Sequence, residues 1–134
     1  MNAKWVDHLN IRVPADRIDE FVALYRDALG FEIEHLDDYR AGEKGFFYLR
    51  VTEESVFHVA PTDSFTEPDN DAFNHVALYV DEPREMVRER LAASEAKIVD
   101  VVDERLGATG AFPSIYFEDP FGYLVELKSP AIDA

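Results

Sequence analysis

The feature that most constrains this chain is that its pattern of apolar and polar residues runs twice. In the first pass, residues 6–13 alternate, with Leu9, Ile11 and Val13 on one side and His8, Asn10 and Arg12 on the other, the period of a half-buried strand. After Pro14, Asp16 is placed to cap a helix whose apolar positions Ile18, Phe21, Val22, Tyr25 and Leu29 follow a helical stripe, and Gly30 can close it. Strand-like runs rich in Phe, Tyr, Ile and Val follow near 31–36, 45–51 and 55–60. Residues 61–72 hold two prolines and four acids, sustain neither period, and read as a linker. The pattern then restarts with a strand over 73–80. A helix opened by Asp81 and Pro83 follows, with Met86, Val87 and Leu91 on its apolar side, and then strand runs near 97–102, 114–118 and 123–128. Each pass is a strand, a helix and three strands. The expected fold is therefore α+β, built from two tandem βαβββ modules: module 1 (4–60), the linker (61–72) and module 2 (73–130), within one domain over 1–134. At 134 residues the chain has room for one domain, and a module of half that length is marginal alone.

A structural repeat requires only that apolar residues recur, yet here polar residues recur as well. His8 and His75 stand 67 apart (75 − 8), and His58 and Glu126 stand 68 apart (126 − 58). Each pair falls on corresponding strands of the two halves, the first and the last. A lone strand histidine is more often a hydrogen-bonded structural residue than a ligand, and a lone glutamate is usually solvated. The joint pattern points the other way. Three of the four histidines occupy repeat-related positions, and Glu126 lies in an otherwise apolar strand where an unpaired carboxylate is costly. The chain has no cysteine, so a metal site must rest on His, Asp, Glu or amide ligands. If each half curls its sheet around a shared cleft with its helix outside, all four side chains can point into that cleft. Three imidazoles and a carboxylate suit Zn, Ni, Co or Fe(II). The fourth histidine, His35, lies among acids and reads as a surface residue.

Composition removes other classes of function. Lys and Arg number 13 against 28 Asp and Glu, a net charge of −15, so no basic surface suited to nucleic acid is expected. The apolar runs are too short to span a bilayer, and Met1-Asn2-Ala3-Lys4 does not open a signal peptide, so a cytoplasmic protein without membrane association is expected. The acids are spread over both halves, which favours adaptation to concentrated salt over an ordinary acidic cytosolic protein.

With the repeat stand two phrases, Leu24-Tyr25-Arg26-Asp27-Ala28-Leu29-Gly30-Phe31 and the closing Asp119-Pro120-Phe121-Gly122-Tyr123-Leu124-Val125-Glu126-Leu127. Together they resemble the vicinal oxygen chelate superfamily, which includes glyoxalase I, fosfomycin-resistance transferases, methylmalonyl-CoA epimerase, extradiol dioxygenases and bleomycin-resistance proteins. The resemblance implies a curled mixed sheet around a metal cleft, a small-molecule substrate, a homodimer, and one divalent ion (Zn, Ni, Co, Mn or Fe(II)). It places the metal ligands on His8, His75 and Glu126. The first-module final-strand position, Glu in glyoxalase I and Gln in the epimerases, is here His58. A metal-bound imidazole is a poor proton shuttle, which leaves Glu126 as the catalytic base. Around these ligands, Arg12, Arg50, Tyr48, Tyr79 and Tyr116 share an inward phase and are candidates for substrate binding. Asp119-Pro120-Phe121-Gly122 reads as a turn that sets the strand carrying Glu126, and residues 106–112 as a mobile cover or a plain connection.

The activity expected first is a glyoxalase-type lyase or isomerase, like lactoylglutathione lyase, acting on a small oxygenated substrate. A second expectation is an Fe(II) extradiol-type dioxygenase, ranked lower because residues 107–114 lack the additional catalytic histidine of that group. A third is a bleomycin-resistance-like binding protein, whose cationic ligand the net charge would attract. A fosfomycin thiol transferase lacks support, because no cationic phosphonate-binding loop is found.

Overall fold

The computed structural model describes residues 1–131. The two passes of the pattern fold as two units, the first covering Met1–Thr66 and the second beginning at Glu67.

In the first unit the alternating residues form β1 (His8–Pro14), β2 (Glu32–Glu34), β3 (Phe47–Arg50) and β4 (Val56–Thr62), in the order β1-β4-β3-β2. β1 and β4 are parallel and the other pairs antiparallel. Parallel partners need a crossover connection. A 3-10 turn (Ala15–Arg17), α1 (Ile18–Val22) and a wider helical continuation (Ala23–Ala28) begin it, and Leu29 N–H bonds back five residues to Leu24 O at 3.0 Å. The helical segment buries Phe21, Val22, Leu24 and Tyr25, the sheet buries Val13, Phe47, Leu49, Phe57 and Val59, and Phe21 meets Phe47 edge-on at 5.7 Å. Burial of each large apolar side chain contributes about 1.5–3 kcal/mol. Gly30 adopts φ +81° and the Phe31 N–H closes the helix on Tyr25 O at 2.8 Å, the termination expected of glycine there.

Three local expectations for this unit need correction. Asp16 makes no capping bond, because the chain leaves Pro14 through the 3-10 turn and the α-helix starts only at Ile18. A short helix, α2 (Leu36–Arg40), occupies the acidic stretch after β2; Asp37 and Asp38 at its start and Arg40 at its end suit the helix dipole, but five residues are too few to show an apolar stripe. β4 also runs two residues into the expected linker. Pro61 is tolerated there because the pairing with β3 has ended at Val59 and only β1 remains as partner.

The second unit repeats the plan with β5 (Val76–Tyr79), α3 (Arg84–Ala92), β6 (Lys97–Gly107), β7 (Gly110–Glu118) and β8 (Leu124–Lys128), in the order β5-β8-β7-β6 with β5 and β8 parallel. α3 buries Val87 and Leu91 against a sheet face that carries Ile115, Phe117, Val125 and Leu127. Met86, expected on the apolar side, is 47% exposed, since it projects away from the stripe of Val87 and Leu91. Residues 106–112 are not an irregular loop. β6 and β7 stay paired to Gly107↔Gly110, and the hairpin turns at Ala108-Thr109. Its outer part is exposed over 103–109, so no alternation marked it as strand.

Candidate metal-binding residues

The register of each sheet decides which side chains share a face. In the first unit His58 lies between Asn10 on β1 and Tyr48 on β3; in the second, Glu126 lies between Ala77 on β5 and Tyr116 on β7. Each histidine of the first-strand pair sits diagonally from the last-strand candidate: His8 faces Val56, two residues before His58, and His75 immediately precedes β5, whose Val76 faces Val125. The polar recurrence therefore has the same geometric basis in both units.

In the first unit the His8 and His58 rings stack with centroids 4.0 Å apart and planes 18° from parallel. Tyr48 at 5.1 Å and Phe46 at 4.6 Å complete an aromatic cluster around His58. Burial, and next the positive charge of a protonated His8, push the His58 pKa below the usual imidazole range, with Asp7 opposing. The shift favours the neutral ring, the form that binds metals. The His8 Nδ1 lies 2.8 Å from Asp7 Oδ2, so in the neutral ring Nδ1 carries the proton donated to that carboxylate and Nε2 carries the lone pair. His35 is exposed as expected, in a left-handed conformation with φ 64°, but its ring meets Tyr48 edge-on at 4.9 Å.

In the second unit the pair is ionic. His75 Nε2 lies 3.2 Å from Glu126 Oε1, and Glu126 is 3% exposed. The orientation of Asn74 is fixed because its Nδ2 donates to Asn70 O at 2.7 Å, which turns its Oδ1 toward His75 Nδ1 at 2.7 Å. His75 Nδ1 must then carry a proton, and a neutral ring presents a bare Nε2 lone pair to Glu126. For Glu126, burial acts to raise the carboxyl pKa, but hydrogen bonds from Ser114, Tyr116 and Lys128 and the charge of Lys128 outweigh it, so the net shift is downward. A nitrogen lone pair and an anionic oxygen thus face each other at 3.2 Å, an arrangement that requires a proton or a cation between them. Typical metal–nitrogen and metal–oxygen bonds of about 2.0–2.2 Å span such a gap at ordinary ligand angles. The donor set fits a divalent ion.

The four candidate ligands are brought together as these two pairs. Among the described residues, no group of three or more His, Asp or Glu side chains suited to an ion is assembled. Of the substrate-binding candidates, Tyr116 bonds to Glu126, meets His75 edge-on at 5.3 Å and has its phenol pKa raised, first by burial and then by Glu126. Arg105 lies over the Tyr116 ring at 5.6 Å. Tyr48 stacks on His58, while Tyr79 is exposed against Phe112. The Arg50 guanidinium is engaged by Glu34 at 2.7 and 3.2 Å and by the Thr52 and Glu53 carbonyls, so it is not free for a substrate anion. Arg12 shares the face of His8 and Asn10. The closing motif is the expected turn: Asp119 Oδ1 accepts from the N–H groups of Phe121 at 2.9 Å and Tyr123 at 3.0 Å, and Gly122 adopts φ +95°.

Reading the sequence missed Asp7, Asn74, Ser114 and the buried role of Lys128. Asp7 and Asn74 carried a signal, since each immediately precedes its repeated histidine. Ser114 and Lys128 act through cross-strand register, which the sequence alone does not display.

Two four-stranded mixed sheets, each with parallel outer and closing strands and a paired donor set in the same register, define a duplicated βαβββ protein. The sequence model of the Glyoxalase/Bleomycin resistance protein/Dioxygenase superfamily matches residues 5–127, and the chain belongs to that superfamily. Among solved structures, an integron cassette protein from the mobile metagenome of V. cholerae is similar at 21% identity and TM-score 0.72, with 98% of each chain covered. A glyoxalase/dioxygenase from Nostoc punctiforme is similar at 15% identity and TM-score 0.73, covering 96% of this chain and 92% of that one. The fosfomycin resistance protein FosX from Listeria monocytogenes is similar at 18% identity and TM-score 0.66, covering 98% and 97%. These likenesses show the fold. A comparison with curated proteins finds no match. Among the described residues, no helix is long and apolar enough to cross a membrane.

Proposed function

We propose that this chain is a metal-dependent glyoxalase-type lyase or isomerase acting on a small oxygenated substrate, with His8, His75 and Glu126 as metal ligands and His58 as the fourth. The observation that carries the reading is His75 Nε2 aimed at Oε1 of Glu126, 3.2 Å away, with His75 Nδ1 turned to Asn74 Oδ1. When bound, a divalent ion would supply Lewis-acid stabilisation for negative charge developing on two substrate oxygens. The chain's own groups handle orientation and protons. Asp7 and Asn74 hold Nδ1 of His8 and His75, which leaves Nε2 of each neutral ring as the coordinating atom. Glu126 is the carboxylate placed to take a proton from substrate carbon, and Tyr116, kept protonated by burial and by Glu126, is the adjacent hydrogen-bond donor. We assign the homodimer expected of the superfamily to this chain as part of the same reading.

The test is metal content together with turnover. The protein purified with divalent metal should carry about one ion per chain and turn over 2-oxoaldehyde adducts or acyl-CoA substrates, with loss of metal in His75→Ala and Glu126→Ala. Oxygen uptake with catechols would replace the reading with the dioxygenase. Tight metal-free binding of a cationic glycopeptide would replace it with the binding protein.

A further inference from the structure

Glu126 shares its face with a second buried charge, Lys128. Lys128 is 7% exposed, and its Nζ donates to the Arg105 carbonyl at 2.6 Å, to Glu126 Oε2 at 3.2 Å and to Ser114 Oγ at 3.4 Å. Ser114, fully buried, donates its one hydroxyl proton to the same Oε2 at 2.8 Å, a much better fit than the Phe112 carbonyl at 3.5 Å. The two oxygens of Glu126 are therefore unlike. Oε2 is held by an ammonium and a hydroxyl, while Oε1 faces His75. The hairpin is shaped to keep the lysine there: a Cβ on Gly107 would lie 2.9 Å from Lys128 Cε. A lysine on this face would ordinarily extend to water; here its three polar partners, two side chains and a backbone carbonyl, retain it.

We infer that Lys128 and Ser114 are positioning residues that hold Glu126 as a one-oxygen ligand, and that the ammonium offsets the carboxylate's charge at the metal site. The inference rests on the metal-ligand reading above. An oxygen already saturated by two donors does not also coordinate, so the site excludes two-oxygen binding by Glu126. It thereby disfavours hard ions such as Ca²⁺, which take up both oxygens of a carboxylate, and leaves ions satisfied by imidazole and a single oxygen.

The test uses Co²⁺ as probe, because its visible absorption weakens as coordination number rises, with affinity measured by titration of the same bands. Wild-type protein should bind Co²⁺. In Lys128→Met the freed Oε2 joins the ion, so the visible bands should weaken and, with the opposing charge removed, affinity should rise by on the order of tenfold. Ser114→Ala should weaken the bands in the same direction by a smaller amount, and it carries the test if Lys128→Met does not fold by circular dichroism. Bands unchanged in the folded variant, or an affinity that falls, overturn the inference while leaving the ligand assignment intact. Absence of Co²⁺ binding by wild-type protein overturns the ligand assignment, and this inference with it.

Discussion

The two units place their candidate ligands at the same register and treat them in opposite ways. Around His58 the neighbours are rings: His8 stacked at 4.0 Å, Phe46 at 4.6 Å and Tyr48 at 5.1 Å. Around Glu126 they are the hydrogen-bond donors Ser114, Tyr116 and Lys128, the last a cation, with the His75 ring facing the other oxygen. The backbone plan determines where a last-strand side chain goes, and the neighbouring strands determine what it can be there. A buried carboxylate is stable only in the second setting, and a neutral imidazole is at home in the first. The same contrast extends to the residues before the histidines, an anionic Asp7 in one unit and a neutral Asn74 in the other, both performing the same orientation of Nδ1.

The two positions should therefore differ most in what their removal costs. Glu126→Ala leaves Lys128 buried without its counter-charge and should destabilise the protein by about 3–5 kcal/mol, the usual cost of halving a buried pair. His58→Ala removes ring packing at a half-buried position and should cost about 1 kcal/mol. Urea denaturation of both variants checks the ordering, and equal costs would erase the contrast.

Next in size is the pH dependence, which separates the two settings by window. His58 has a folded pKa below its unfolded value near 6.5, so its contribution is full above about pH 6.5 and is lost as pH falls through the lower folded value. Glu126 is likewise lowered, so its contribution is full above an unfolded value of about 4.3 and is lost only in stronger acid. Stability measured against pH should therefore flatten below about pH 6.5 in His58→Gln, and below about pH 4 in Glu126→Gln.

Smaller again is a contrast between glycines with positive φ. Gly42, φ +78° in the first unit, faces open space, whereas a Cβ on Gly122, φ +95° in the turn before β8, would lie 2.6 Å from Glu67 Cγ. Gly42→Ala should cost about 1 kcal/mol from backbone conformation alone, and Gly122→Ala more, since Glu67 must also move. Smallest is the half-buried Arg50–Glu34 pair. Arg50→Ala should cost little stability and lose even that in high salt, and an effect on metal binding would contradict the engagement of Arg50 away from the ligands.

Much of this plan was legible in the sequence. Strand alternation placed His8, His58, His75 and Glu126 on the faces where they are found, because a period of two fixes the face once the apolar side is known. Gly30 ended its helix as expected. Other parts were hidden for physical reasons. The outer half of the β6–β7 hairpin is exposed and so has no alternating signal, and α2 is too short for one. Lys128 is polar in a position that ordinarily reads as solvated, and only the approach of Arg105 O and Gly107 from a neighbouring hairpin buries it. Ser114 is small and common, and its bond to Glu126 follows from the pairing Tyr116↔Glu126, which no spacing in the chain reveals.

The central claim is that the recurring residues are metal ligands. It is tested most directly by elemental analysis of the folded protein after exposure to divalent metal and removal of excess. Wild-type protein should hold about one ion per chain and His75→Ala none. Folded wild-type protein that retains no metal would contradict it.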